Sequence, residues 1–327
     1  MVLFIAAIVG GFVLLVWGAD RFVVGAAATA RNLGVSPMII GLTIVGFGTS
    51  APEILVSAMA AWAGNPGLAI GNAIGSNITN IALILGTTAL IAPLNVASGV
   101  LRRELPVLLG VMCLSYLLVL DGHLGWLDGL ILLGGLAALL VWMTHMGLNS
   151  RRREDALAIE FSEEIPADMR MGTALVWLGV GLTVLLVSSR MLVWGAVGVA
   201  EAFGVSDLII GLTIVALGTS LPELAASIAS ALKKEHDIAI GNVIGSNLFN
   251  LLAVLSMPGL LAPGPVEPAV VNRDFPIMLG LTAAFFLMAY GLRGRGRINR
   301  PEAIGLLCCY LGYQALLYFS AQQQITA

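Results

Sequence analysis

The sequence predicts an all-α membrane protein of ten transmembrane helices arranged as two inverted five-helix repeats. Three observations lead there. First, 58% of the 327 residues are hydrophobic and only 11% are charged, with a mean hydropathy of +0.97; soluble domains carry about 25% charged residues, and disordered chains are far more polar. Second, ten apolar segments reach the length of about 20 residues that a helix needs to cross the hydrocarbon core. Third, the chain repeats itself at an interval of 170 residues.

The expected spans are 2–30, 38–62, 68–90, 104–120, 124–146, 172–200, 208–231, 238–261, 275–292 and 302–321. The first has no basic n-region and no clear cleavage site, so it reads as a span and not a removable signal. The first and sixth are long and should tilt. The second and seventh each carry a proline and a glutamate at mid-span, Pro52 with Glu53 and Pro222 with Glu223. The third and eighth are rich in glycine and asparagine, and the remaining spans are plainly apolar. Between the fifth and sixth lies the longest polar stretch, Asn149–Arg170, which reads as a solvated linker. The organisation expected is a first repeat over 1–147, a linker over 148–170 and a second repeat over 171–327.

Basic residues collect in cytoplasmic loops. One side would hold Arg31, Arg102, Arg103, Arg151, Arg152, Arg153, Arg170, Lys233, Lys234, Arg293, Arg295, Arg297 and Arg300, the other only Arg273. That places both termini outside and the linker in the cytoplasm. Arg21 and Arg190 fall within spans and read as snorkelling or pairing residues. The net charge of -3 leaves no basic surface for nucleic acid. Cys113, Cys308 and Cys309 form no metal or redox motif and are expected as small core residues. Nucleotide-loop, HExxH and GxSxG motifs are absent, so neither an enzyme nor a cofactor is expected.

Residues 41–86 and 211–256 agree at 22 of 46 positions without a gap. Each half has five spans, an odd number, so the second must enter the membrane upside down. Such a design is typical of transporters with a midplane site. A passive cation channel is the reading from another class, although filters more often come from rings of subunits.

The first repeated motif is Gly48-Thr49-Ser50-Ala51-Pro52-Glu53, mirrored by Gly218-Thr219-Ser220-Leu221-Pro222-Glu223. Proline lacks an N–H, which frees the carbonyl four residues back, at Gly48 and Gly218. An ionised side chain at this depth costs about 2.5–3.5 kcal/mol and marks ion pathways. The second motif runs from Gly71 to Asn80, mirrored by Gly241 to Asn250. Ser76 with Asn80, and Ser246 with Asn250, share helix faces. For Asn72, Asn77, Asn242 and Asn247, interhelical hydrogen bonding and ion ligation fit equally well. Two carboxylates with hydroxyls, amide oxygens and freed carbonyls make a hard-oxygen set suited to Ca2+ or Na+. Two glutamates balance one divalent or two monovalent ions.

The paired GTSxPE and GNxIGSN blocks resemble the repeats of the calcium/cation antiporter superfamily, and within it the bacterial sodium/calcium exchangers. The likeness covers nearly the whole chain. It implies ion sites between the second, third, seventh and eighth spans, with Glu53 and Glu223 as central Ca2+ ligands. Thr49, Ser50, Thr219, Ser220, Ser76 and Ser246 would line Ca2+ and Na+ sites, Asn80 would ligate in the third span, and the carbonyls of Gly46 and Ala216 would complete outer Na+ sites. The long first and sixth helices would slide against the core. Asn250 departs from the aspartate of many sodium-coupled members, leaving two negative charges instead of three. Ca2+/Na+ antiport at the bacterial inner membrane is the expectation, with Ca2+/H+ antiport as the alternative.

Overall fold

In the computed structural model, residues 1–35, 37–96, 101–150, 169–202, 216–290 and 296–326 are described. Among the described residues, seven helices are long and apolar enough to cross a bilayer unaided: Val2–Leu33, Pro66–Ile91, Trp126–Met143, Met171–Leu192, His236–Leu261, Val270–Tyr290 and Arg300–Ser320. An eighth span is a pair, Gly41–Thr49 and Ala51–Trp62, bent by 48°. Leu101–Val119 is the fourth span in chain order, its first turn carrying Arg102, Arg103 and Glu104. Ala216–Thr219 and Leu221–Leu232 are the described helices of the seventh; positions 208–215 of that span, and 151–168 of the expected linker, lie outside the described residues.

The mirrored elements keep the 170-residue offset. Ala51–Trp62 matches Leu221–Leu232, Pro66–Thr79 matches His236–Phe249, and Gly86–Ile91 matches Ser256–Leu261. The third and eighth spans are innermost, the eighth buried along its central stretch, while the first, fifth, sixth and tenth lie at the periphery with large apolar side chains turned outward. That girdle is what a chain solvated by lipid needs. The three cysteines are exposed as well, Cys113 on the fourth span and Cys308 and Cys309 on the tenth, which corrects the expectation of core positions. An apolar run looks the same whether its neighbours are side chains or acyl tails.

The first and sixth helices, each 32 residues, would be about 48 Å long at 1.5 Å per residue, well beyond a hydrocarbon core of about 30 Å. They pack antiparallel over almost their full length. Glycines seven apart make this possible. A Cβ on Gly11 would meet the Ser188 carbonyl at 3.2 Å, one on Gly18 the Leu185 nitrogen at 3.1 Å, and one on Gly25 would collide with the Leu178 nitrogen. From the other side, a Cβ on Gly181 would collide with the Phe22 nitrogen. Small residues let the two backbones touch.

Arg21 packs against the rings of Trp177 and Trp17 at 5.0 and 6.0 Å and lies 3.6 Å from Asp20, so the pairing reading of this residue fits. Asp20 also forms a 2.7 Å ion pair with Lys233 at the end of the seventh span. The mirrored positions hold Arg190 and Ala63, which cannot form that pair.

Two short ladders join the halves at their loops. Strand β1 (Leu94–Val96) runs antiparallel to β4 (Gly296–Ile298), and β2 (His123–Leu124) to β3 (Gly264–Pro265).

Candidate functional site

Each glutamate sits one turn past a helix break. The first-repeat helix Gly46–Thr49 stops at Ser50 and restarts at Ala51 with Pro52 in its first turn; the second repeats this at Ser220 and Leu221 with Pro222. A first turn leaves N–H groups outside the helical ladder, and proline costs nothing there. The break therefore opens the backbone beside Glu53 and Glu223, both 1% exposed. The carbonyl that Pro222 frees, on Gly218, accepts the Ser189 hydroxyl of the sixth span at 2.7 Å. At the mirrored position the first span has Ala19, which has no hydroxyl.

The breaks of the two repeats face each other. Ser50 Oγ donates to Glu223 Oε1 at 3.2 Å, so the first repeat's break touches the second repeat's glutamate. Neither oxygen of Glu53 has a hydrogen-bond partner among the described residues, nor do Glu223 Oε2 and Ser220 Oγ. Buried amide oxygens of Asn77, Asn80 and Asn250 are likewise unpartnered. Buried polar atoms without partners are uncommon and costly, and here they concentrate at the breaks and on the inner spans beside them. The ion pairs at Asp20 and Asp274 lie elsewhere.

Asn80 and Asn250 each begin a π-helical segment, Asn80–Leu85 and Asn250–Val254. Such widened turns recur at functional sites. Asn80 Nδ2 donates to Asn247 Oδ1 at 3.0 Å across the repeats, leaving its own oxygen free to accept. Ser246 Oγ reaches the Gly46 carbonyl at 3.4 Å and Thr49 Oγ1 at 3.5 Å. Thr49 Oγ1 itself donates to the Val45 carbonyl at 3.0 Å or to Asn242 Oδ1 at 3.1 Å. A Cβ on Gly46 would meet the backbone of Gly245 at 3.1 Å, so the second and eighth spans touch there. Ser76 is buried at 6% exposure. Ala216 opens the short helix Ala216–Thr219, and the Ser220 N–H turns to the Leu217 carbonyl at 3.2 Å, whereas the mirrored Ser50 N–H bonds Gly46.

Asn72 and Asn242, for which hydrogen bonding and ligation fitted equally, use their amide nitrogens on backbone and hydroxyl oxygens. Their serine partners, Ser57 and Ser227, were missed in the sequence, although each repeats at 170 residues. So does a second pair of acids. Arg103-Glu104 matches Arg273-Asp274, and both are followed by proline two residues on. Asp274 is bonded by Arg273 at 2.8 and 3.1 Å and by the Tyr313 hydroxyl at 3.0 Å. Glu104 is fully buried with neither oxygen partnered; the position mirroring Tyr313 is Met143.

Among the described residues no group of three or more His, Cys, Asp or Glu could hold a metal. A cation held at the facing breaks would meet two carboxylates and otherwise neutral oxygens. Such a set of oxygens is suited to a hard cation.

Comparison with known proteins gives concordant matches. The family model for the sodium/calcium exchanger protein matches residues 3–145 and 173–319. The putative antiporter CaxA of Alkalimonas amylolytica is 52% identical over 310 residues, covering 95% of this chain and 97% of its own. The inner membrane protein YrbG of Escherichia coli K12 is 40% identical over 320 residues, covering 98% of each. The solved structure of the sodium-calcium exchanger NCX_Mj soaked with Na+ and Ca2+ superimposes with a TM-score of 0.83 at 34% identity, covering 96% of this chain and 98% of that one.

Proposed function

The chain belongs to the sodium/calcium exchanger family, a family of transporters and not of enzymes, and on that footing we propose that it exchanges Ca2+ for Na+ across the bacterial inner membrane by alternating access, without ATP. Its ten-helix inverted architecture and its class, a multi-pass cation antiporter, follow from the matches. Sodium coupling, the membrane and the ligands are the proposal.

The carrying observation is the meeting of the two helix breaks, where the Ser50–Glu223 hydrogen bond joins the halves beside unpartnered carboxylate oxygens. Glu53 and Glu223 would bind Ca2+ directly. Thr49, Ser50, Thr219, Ser220, Ser76, Ser246, Asn80, Asn250 and the carbonyls of Gly46 and Ala216 would line the Ca2+ and Na+ positions. Because two carboxylates balance one divalent or two monovalent ions, Ca2+ and Na+ compete for the same charge, and competition is what couples their movements. The name of the Escherichia coli relative supports the inner membrane. The uneven distribution of basic loop residues supports termini outside and a cytoplasmic linker over 148–170, between repeats at 1–147 and 171–327.

Asn250 favours a second reading, Ca2+/H+ antiport, because an amide replaces a charge at that position. Inside-out vesicles separate the two. Ca2+ uptake driven by an imposed Na+ gradient and insensitive to a protonophore is expected; uptake driven only by a pH gradient would overturn sodium coupling. Cation conductance with no counter-transport would overturn antiport itself.

A further inference from the structure

Asn72 and Asn242 stand at mirrored positions, each 19 residues beyond the glutamate of its own repeat. Asn72 Nδ2 donates to the backbone carbonyl of Glu53 at 3.1 Å and to Ser57 Oγ at 2.9 Å. Asn242 Nδ2 donates to the backbone carbonyl of Glu223 at 3.1 Å and to Ser227 Oγ at 2.9 Å. The same three residues thus make the same two bonds in both halves, though the surroundings differ. Ser57 passes its hydrogen on to the Ala69 carbonyl at 3.3 Å, while Asn242 Oδ1 accepts the Thr49 hydroxyl of the opposite repeat at 3.1 Å.

Both hydrogens of each amide nitrogen are committed to oxygens, and Asn242 Oδ1 lies within reach of the Thr49 hydroxyl. The value of these amides lies in what they grip. Glu53 and Glu223 occupy the first turn after a break, where a helix is least constrained by its own ladder. A donor reaching that peptide from the neighbouring span fixes its rotation about the helix axis, and the direction of the carboxylate follows from it. The serine hydroxyl holds the amide itself in register.

We infer that Asn72 and Asn242 are positioning residues that aim Glu53 and Glu223 at a shared cation, with Ser57 and Ser227 locking each amide in place. This rests on the reading that those glutamates bind the transported ion. Groups that orient a metal's ligands commonly contribute a factor of about 10–100 to its affinity. Asn242 links further than Asn72 does: through Thr49 it joins the placement of Glu223 to the helix break of the other repeat.

The test uses the full chain in lipid nanodiscs, with equilibrium binding of radiolabelled Ca2+ and the thermal midpoint measured on each variant. Asn72→Leu and Asn242→Leu remove the donors at similar volume and should weaken Ca2+ binding about tenfold. Ser57→Ala and Ser227→Ala should weaken it about threefold, whereas Ser227→Thr, which keeps the hydroxyl, stays near the parent. Should the leucine variants fail to insert, the serine series decides. Parent-like affinity in the alanine and leucine variants, or a fall in midpoint with affinity unchanged, would reduce the asparagines to interhelical packing and overturn the inference. A separate arm guards the reading beneath it: a parent protein that binds no Ca2+, or Glu53→Gln and Glu223→Gln variants that bind it normally, overturns the assigned ion site.

Discussion

Glu53 and Glu223 hold oxygens that the rest of the protein leaves without partners, and an ionised group at that depth costs about 2.5–3.5 kcal/mol. The proposed cation would offset that cost. Glu53→Gln or Glu223→Gln should each abolish most Ca2+ flux in vesicles while the protein still inserts; ordinary flux in either would refute the assignment. Asn250→Asp adds a charge beside the same ions and should raise sodium dependence or the charge moved per cycle. An unchanged ratio of current to flux would count against that role. Glu104 offers a contrast, an unpartnered buried acid at the start of the fourth span. Removing such a group without opening a cavity can stabilise by about 1–3 kcal/mol, so Glu104→Met should raise the thermal midpoint, and a lower midpoint would reveal a partner. The glutamates stood out in the sequence because a charge inside a span is conspicuous by chemistry alone. The asparagines did not declare their part, because helical spacing gives a side chain's face and not which of its atoms is engaged.

At the scale of elements, two features decide the architecture, the broken helices and the paired long ones. Pro52 and Pro222 announced the breaks, since proline cannot continue a ladder. The π-helical segments were hidden, because one widened turn barely disturbs a 3.6-residue pattern in a stretch that is apolar on every face. The short β1–β4 and β2–β3 ladders were hidden too; two or three residues carry no periodicity. The helix pair makes its own prediction. With the Leu178 and Phe22 backbones in the way of any side chain, Gly25→Val or Gly181→Val should splay the first and sixth helices and cost more than about 2 kcal/mol, by analogy with overpacked cores. Gly179→Val, where an added Cβ meets no described atom within 4 Å, should leave the melting transition nearly unchanged. Equal midpoints for all three variants would contradict the close backbone contact.

For the whole molecule, the duplication made the fold readable. A 170-residue offset with an odd number of spans in each half allows only an upside-down second copy, and the expected spans fall within a few residues of most described helices. What the offset could not disclose is where the copies have drifted apart. Ala19 stands at the position of Ser189, Met143 at that of Tyr313, and Asp20 with Lys233 corresponds to Arg190 with Ala63. If access alternates by the halves trading conformations, the 2.7 Å clasp between Asp20 and Lys233 exists in one posture and has no twin in the other. An ion pair so near the surface contributes about 0.5–1 kcal/mol, enough to skew two otherwise matched postures roughly two- to fivefold. Lys233→Ala should erase that tilt, seen as a shift between inward and outward populations by single-molecule fluorescence, and an unmoved ratio would show the clasp to be idle. A machine assembled from twin halves would then owe its resting side to a single lysine that one twin lacks.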